Sequence, residues 1–210
     1  MKATRLFAVR HGATEYSRQR RFTGARDVPL TTDGRLQAEA VAQALAGVGA
    51  AAVYTSPLER SRVCADLIAK PHRLEPRVEP DLREMSFGAW EGLAYDEVVQ
   101  RFPRDMEAWR LTPHLVTPPD GEPLGAVAAR VRATLDRLIA SHAGETAIVV
   151  GHAVVVRLIV LAALGLGPER LWSVDASPAG ITEIEYVGDW ATVHRMNTLA
   201  HLEALPEARA

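Results

Sequence analysis

The chain has 210 residues, of which 48% are hydrophobic and 24% charged, and its formal net charge at pH 7 is -2. This composition is typical of one globular domain with a sizeable core. The small net charge argues against electrostatic binding of nucleic acid. Cys64 is the single cysteine, which excludes an intramolecular disulfide framework and a cysteine-rich zinc site.

No segment has the pattern of a membrane span or a signal peptide. The longest apolar stretch, Leu158 to Gly167, has ten residues, whereas a spanning helix needs roughly 20. Near the N-terminus only Leu6 to Val9 is apolar before Arg10, and a signal peptide core needs about 7 to 15 such residues. We therefore expect a cytoplasmic protein in a reducing environment.

Strands and helices alternate along most of the chain. Predicted strands cover residues 5–10, 51–54, 73–79 and 146–150, and a hairpin around Gly188-Asp189 covers 181–186 and 191–195. One predicted helix begins at Thr31 or Thr32 as N-cap, and others cover 58–69, 123–141 and 154–164, with Pro57 and Pro123 suited to first turns. The polar run 18–26 is predicted as a loop. This alternation predicts a three-layer α/β/α sandwich around a mainly parallel central sheet.

The least regular segment, residues 81–121, contains two predicted short helices, near Tyr95–Arg101 and Asp105–Leu111. We expect it to be an insertion or lid over one end of the sheet, within a single domain that covers residues 1–210. The last fifteen residues have no clear pattern and are expected to form a tail.

Histidines follow two of the predicted strands directly. His11 comes after the first strand and His152 after strand 146–150. Ligands bind outside the carboxyl ends of parallel strands, so the two imidazoles can face each other across one crevice. Arg10 and Arg60 would make this pocket cationic, and the guanidinium group suits phosphoryl oxygens. The residues alone leave structural roles for the histidines and a surface role for Arg60 equally open.

Five motifs follow one another in order between residues 9 and 157. The first reads Val-Arg-His-Gly-Ala-Thr-Glu from Val9 to Glu15. The second motif consists of Phe22-Thr23-Gly24, Asp27 to Thr31, and then Gly34, Gln37 and Ala38. The third covers Tyr54 to Arg62, and the fourth covers Leu82 to Gly92. The fifth is Val150-Gly151-His152, followed by Arg157. Together they resemble the histidine phosphatase superfamily, whose founding members are the cofactor-dependent phosphoglycerate mutases.

This resemblance implies a role for each matching residue. His11 would be the nucleophile that forms a phosphohistidine, and Glu84 the general acid for the leaving group and then the base for water. Arg10, Arg60 and a protonated His152 would hold the phosphoryl group and stabilise its charge, while His11 must attack as neutral imidazole. Ser17, Thr23, Gly24 and Ala153 would contribute further substrate contacts.

Three positions depart from the family pattern. Ser17 stands where the family often has Asn, which would weaken or shift one phosphate contact. Ala153 stands where Gly often follows the second histidine, and Ala would cost stability if that backbone needed positive φ. Pro123 replaces the Ser of a Gly-Glu-Ser segment.

The segment after the proposed acid favours hydrolysis over phosphoryl shuttling. Mutases of the family have a longer, lysine-containing segment there, whereas this chain has Phe87 to Leu93 and no lysine after Lys70. The sequence therefore predicts a metal-independent phosphomonoester hydrolase without a cofactor, resembling alpha-ribazole and broad-specificity phosphatases. Trp90, Trp109 and Tyr95 would either line a leaving-group pocket or pack in the core.

Two other functions stay open. One is a cofactor-dependent phosphoglycerate mutase, and the other is a non-catalytic protein that binds phosphorylated ligands. The expected partner is a small phosphorylated metabolite, without nucleic acid, membrane or bound metal, and a homodimer is also left open.

Overall fold

One six-stranded sheet lies at the centre of the computed structural model, which describes residues 2–205. Its strands are β1 (Thr4–Arg10), β2 (Ala50–Thr55), β3 (Arg77–Val78), β4 (Thr146–Gly151), β5 (Ile181–Val187) and β6 (Trp190–Thr198), in the order β3-β2-β4-β1-β5-β6. The first four are parallel neighbours, and β5 and β6 form an antiparallel hairpin beside β1. The predicted mainly parallel sheet and its terminal hairpin are confirmed.

Helices cover both faces of this sheet. They are α1 (Glu15–Arg18), α2 (Thr32–Leu45), α3 (Glu59–Ala69), α4 (Tyr95–Arg101), α5 (Pro103–Leu111), α6 (Leu124–Ser141) and α7 (Ala153–Ala163). Successive strand residues point to opposite faces, so Phe7 and Val9 pack with α2 and α3, whereas Leu6 and Ala8 pack with α6 and α7. The result is the predicted three-layer sandwich, with its two apolar layers separated by the sheet.

The helix starts differ in detail from the sequence prediction. Thr31 is the N-cap of α2, as predicted, and its hydroxyl accepts the Gly34 amide at 3.0 Å. Pro57 lies before α3 instead of in its first turn, because the extended Leu58 is the N-cap. Pro123 is likewise the N-cap residue of α6. The prediction missed α1, a single turn held by mutual hydrogen bonds between Thr14 and Ser17.

The third strand is much shorter than predicted. Arg73 ends a 3₁₀ turn in the left-handed conformation, with φ of 58°, so the chain is not extended there. Only Arg77 and Val78 pair with β2.

The irregular segment contains the two predicted helices, α4 and α5. It places Trp90, which is fully buried, and Trp109, which is nearly so, in the same apolar layer as α6 and α7. The predicted C-terminal tail is ordered as far as the structure describes it, because β6 extends to Thr198 and Leu202 packs against the α2 and α3 layer. Residues 206–210 of the predicted tail lie outside the described residues.

Across residues 2–205, no helix has both the length and the apolar character that crossing a bilayer requires.

Two glycines let the loop after β1 pack directly against the start of α2. A Cβ on Gly34 would overlap the backbone carbonyl of Ala13, and a Cβ on Gly12 would overlap the carbonyl of Gly34. We expect Gly34→Ala to lower the free energy of unfolding by about 1–3 kcal/mol, because backbone must move to admit the methyl group. Urea denaturation measures the change.

The matched control is Gly125→Ala, since Gly125 also lies in a helical first turn but has nothing within 4 Å of an added Cβ. Alanine there should be neutral or stabilise the protein by up to about 1 kcal/mol. Equal effects at the two positions would contradict the proposed close packing.

Candidate active site

Four of the predicted site residues lie at the carboxyl ends of parallel strands. Arg10 ends β1 and His11 follows it, His152 follows β4, and Arg60 is the second residue of α3, in the connection after β2. The centroids of the His11 and His152 rings are 5.1 Å apart, and the ring planes are inclined at 64°. The topology therefore brings together side chains that are 141 positions apart in the sequence.

The hydrogen bonds of His11 determine its tautomer. Its Nδ1 lies 2.7 Å from the carbonyl oxygen of Gly12, which can only accept, so Nδ1 carries the proton. Its Nε2 then has the lone pair and accepts from Nε of Arg60 at 3.2 Å. Burial, followed by the charges of Arg60 and Arg10, holds the pKa of His11 well below its usual range. The ring is therefore neutral at pH 7, as a nucleophile must be.

Arg60 is held rigidly by the loop after α1. The side chain is almost fully buried, and its two terminal nitrogens donate to the carbonyls of Arg26 at 2.7 Å and Gly24 at 2.9 Å. Burial lowers its pKa, and the nearby carboxylates of Glu84, Asp27 and Glu91 act in the opposite direction. Gly24, predicted as a substrate contact, thus orients Arg60 through its carbonyl group.

Arg10 approaches the site from β1. Its Nη1 donates to the carbonyl of Ala176 at 2.6 Å, and its buried Nε has no hydrogen-bond partner among the described residues. Burial lowers the pKa of Arg10 to about 10, with Glu84 opposing that shift, so the guanidinium stays charged at pH 7. A buried donor without a partner is rare in folded proteins and here points to an anion-binding role.

His152 is buried between Ser56 and the arginines of the site. Its side chain is fully buried, with Nε2 2.7 Å from Oγ of Ser56 and a buried Nδ1 that has no partner among the described residues. Burial, followed by the charge of Arg60, holds its pKa well below the usual range. The ring is therefore neutral at pH 7, and the protonated form expected beside a bound phosphoryl group stays a prediction. A doubly negative phosphoryl group beside it would raise this pKa again.

Glu84 belongs to the irregular segment 81–121, and its buried carboxyl group contacts the first turn of α7. One carboxylate oxygen accepts the Met85 amide at 3.0 Å, and the other accepts the Val154 amide at 3.3 Å, where the helix dipole favours negative charge. The charge of Glu84 acts on both Arg10 and Arg60. The carboxyl group therefore belongs to the same electrostatic cluster as the two arginines.

Two side chains that hold the backbone at Glu84 were not predicted from the sequence. Arg130 on α6 donates to the carbonyls of Arg83 at 2.8 Å and Glu84 at 3.4 Å, and Glu122 binds Arg130 through two 2.9 Å hydrogen bonds. Glu122 was visible only as part of a family segment, and nothing in the sequence paired it with Arg130.

Glu91 is a second positioning residue that was missed. Its Oε1 accepts the amides of Ala25 at 2.9 Å and Phe87 at 3.0 Å, and the hydroxyl of Ser86 at 3.2 Å. This carboxylate thus joins the loop that holds Arg60 to the segment that contains Glu84. Its place in the Trp-Glu-Gly motif was the only sequence signal.

The other predicted substrate residues have local roles or none that the contacts reveal. The hydroxyl of Ser17 exchanges hydrogen bonds with the Thr14 backbone, at 2.9 and 2.8 Å, and so completes the cap of α1. Ala153 begins α7 and is not among the residues with positive φ, so alanine costs no backbone strain there. Thr23 lies beside Gly24 in the loop that holds Arg60, half-buried. Within residues 2–205, no group of three or more His, Cys, Asp or Glu side chains is arranged to hold a metal ion.

Comparison with known proteins places this site in a family. A model of the histidine phosphatase superfamily, branch 1, matches residues 6–199. Phosphoserine phosphatase 1 of Hydrogenobacter thermophilus is 31% identical over 198 residues, which are 94% of this chain and 94% of that protein. The solved structure of Bacillus stearothermophilus YhfR has a TM-score of 0.88 and 33% identity, covering 95% of this chain and 100% of that one.

A bifunctional protein of Mycobacterium tuberculosis is 38% identical over 194 residues, which are 92% of this chain but 53% of that protein. The chain thus spans about half the length of this relative. The resemblance drawn from the five motifs is confirmed, because the matched region contains all of them in the expected order. The chain belongs to the histidine phosphatase superfamily, branch 1.

Proposed function

We propose that the protein hydrolyses the phosphomonoester of a small metabolite through a phosphohistidine at His11. The observation that carries this proposal is the orientation of His11, whose Nε2 lone pair lies against Arg60 while Nδ1 is occupied by the Gly12 carbonyl. Phosphoryl transfer depends mainly on positioning and on stabilising charge on the equatorial oxygens. The two guanidinium groups supply that positive charge, so the proposed mechanism needs no metal ion.

In the first step the Nε2 lone pair of His11 attacks phosphorus, and the bond from phosphorus to the ester oxygen breaks. Glu84, a carboxylate before the ester binds, takes up a proton beside the phosphate dianion and gives it to that oxygen, so the leaving group departs as a neutral alcohol. Arg10, Arg60 and His152 bind the three equatorial oxygens. The proton of His11 stays on Nδ1, and the hydrogen bond that Nδ1 donates to the Gly12 carbonyl stabilises the positive charge that develops on the ring.

In the second step the Glu84 carboxylate accepts a proton from water as the water oxygen attacks phosphorus. The bond from phosphorus to Nε2 breaks, inorganic phosphate is released, and His11 and Glu84 return to their starting forms. A protein that only binds phosphorylated ligands would need neither an imidazole whose Nε2 is unprotonated nor a buried carboxyl group. A mutase would need basic residues that bind a second charged group of its substrate. The lysines of that kind are missing here, since this chain has no lysine after Lys70.

The residues 81–121 are proposed to close one side of this site as part of the same domain. Glu84 reaches the start of α7 from this segment, and Arg130 of α6 holds its backbone. Phosphoserine and alpha-ribazole phosphate, the substrates named for relatives from Hydrogenobacter thermophilus and Escherichia coli, belong in a first substrate screen.

Replacing the nucleophile should abolish turnover. We expect His11→Ala to lower kcat on p-nitrophenyl phosphate, assayed with EDTA present, by at least about a thousandfold. Acid-labile, base-stable phosphoenzyme should be trapped from the wild-type protein and not from the variant. The control is His194→Ala, on the partly exposed face of β6, which should retain full activity. Labelling of His11→Ala at the wild-type level would place the nucleophile elsewhere.

Replacing the acid should affect esters according to their leaving groups. Because an alkoxide needs a proton and p-nitrophenolate does not, Glu84→Gln should reduce kcat/KM about 100-fold for an alkyl phosphate and less than about tenfold for p-nitrophenyl phosphate. Steady-state kinetics on both esters measure the difference, with the exposed Glu39→Gln as control. Equal losses on the two esters would remove the role of Glu84 as proton donor.

The two buried neutral histidines should make stability depend on pH. Their folded pKa values lie well below the value of about 6.5 expected in the unfolded chain. Below about pH 6.5 the unfolded chain therefore binds more protons, and the free energy of unfolding should fall as pH decreases, by up to about 2.7 kcal/mol per pH unit. Urea denaturation between pH 8 and 5 measures the slope.

The double variant His11→Asn with His152→Asn should show a shallower slope over the same range. Inorganic phosphate should also reduce the slope in the wild-type protein, since the anion favours protonated histidine. An unchanged slope in the double variant would assign the pH dependence to other groups.

A further inference from the structure

An apolar cleft lies between the irregular segment and the 3₁₀ segment Pro168–Ser173, outside the residues assigned to phosphoryl transfer. Its volume is about 420 Å³, and it is lined by Phe22, Tyr95, Met106, Trp109, Arg110 and Trp172. We call it the aromatic cleft. Arg110 is the single charged residue of the lining, so most of the surface that a bound molecule would meet is apolar.

Ring contacts hold the walls of the aromatic cleft in place. The indole nitrogen of Trp172 donates to the carbonyl of Trp109 at 3.0 Å, and the two rings meet edge to face with centroids 5.5 Å apart. Phe22 packs edge to face on Phe87 at 5.1 Å and on the buried Trp90 at 5.4 Å. Trp90 therefore supports the cleft from behind, whereas Tyr95 and Trp109 line it. A cleft that is already formed binds ligands with little ordering cost.

Two residues of the aromatic cleft are connected, through the chain or through contacts, to the arginines of the proposed phosphate site. Phe22 lies two residues before Gly24, whose carbonyl holds Arg60. On the other side, the guanidinium of Arg157 lies 5.0 Å from the Trp172 ring centroid and binds Asp175, next to the Ala176 carbonyl that holds Arg10. Phe22 is thus connected to Arg60, and Trp172 to Arg10.

We propose that the aromatic cleft binds the leaving group and selects phosphate esters of aromatic or bulky apolar alcohols. This inference rests on the proposed hydrolysis at His11. Burying an aromatic ring against these walls is favourable, at roughly 25 cal/mol per Å² of apolar surface. A small alcohol bearing several hydroxyl or charged groups would lose hydration there and find Arg110 as the one charged partner.

Matched ester pairs test the proposal, because each pair keeps the leaving-group chemistry nearly constant and changes its apolar area. The pairs are 2-naphthyl with phenyl phosphate, and 2-phenylethyl with ethyl phosphate. We expect kcat/KM to be at least about tenfold higher for the larger member of each pair. Binding of 2-naphthylphosphonate and phenylphosphonate, which are not hydrolysed, should show the same preference in Kd by tryptophan fluorescence and calorimetry.

Variants on two walls identify the cleft as the source of this preference. Trp172→Ala and Tyr95→Ala should each bring the naphthyl-to-phenyl ratio close to one, in kcat/KM and in Kd. Both side chains are partly exposed, so these variants are expected to fold. The control is Trp190→Ala, because Trp190 is 81% exposed beside the β5–β6 turn and is not part of the cleft. It should leave both ratios unchanged.

The outcomes separate this inference from the proposed function. Turnover of all four esters with equal kcat/KM within each pair, or a preference that survives both wall variants, overturns the cleft proposal and leaves hydrolysis intact. Tighter binding of naphthylphosphonate that is lost in Trp172→Ala, without release of phosphate from any ester, supports the cleft and overturns the proposed function. A preference for O-phosphoserine over 2-naphthyl phosphate also overturns the cleft proposal.

Discussion

The hydrogen bond from His11 to the carbonyl of Gly12 decides which nitrogen of the imidazole faces the arginines. The peptide of Gly12 must therefore be held firmly. Its amide lies 3.4 Å from the sulfur of Cys64 on α3, and its Cα packs against the backbone at Gly34 on α2. The orientation of the proposed nucleophile thus depends on the packing of two helices against the end of β1.

The electrostatics of the site follow from burial. Two guanidinium groups and two imidazoles share a small pocket, and the imidazoles are neutral because burial and the neighbouring positive charge both disfavour their protonated forms. The carboxylate of Glu84 offsets part of the arginine charge. In the proposed mechanism a phosphoryl dianion completes that balance beside the buried nitrogens of Arg10 and His152, which have no partner among the described residues.

The proposed acid, Glu84, belongs to a segment outside the sheet, so its position depends on hydrogen bonds from charged side chains. Glu91 connects the loop around Gly24 to the backbone at Phe87, and Arg130 connects α6 to the carbonyl of Glu84. Both side chains are charged and make several hydrogen bonds, which hold a loop more rigidly than apolar contacts alone. The same segment provides Tyr95 and Trp109, which line the aromatic cleft.

Local patterns were sufficient for most of the architecture. Apolar runs, capping residues and the turn at Gly188 predicted the sheet and its helices, because these signals act over a few residues. The motifs identified the residues at the strand ends for the same reason. The length of β3 was misjudged because the left-handed Arg73 interrupts the alternating pattern. The turn α1 was missed because its four residues are too few to show an apolar repeat, although Thr14 and Ser17 cap it.

Only the tertiary structure decided what surrounds each side chain. The neutral state of His152 results from complete burial beside Arg60, which no local pattern encodes. The partnerships of Arg130 with Glu122 and of Glu91 with Ala25 join residues on different elements. The sequence by itself therefore determined the family, the order of elements and the reactive groups. Their protonation, their supports and the aromatic cleft depend on long-range packing.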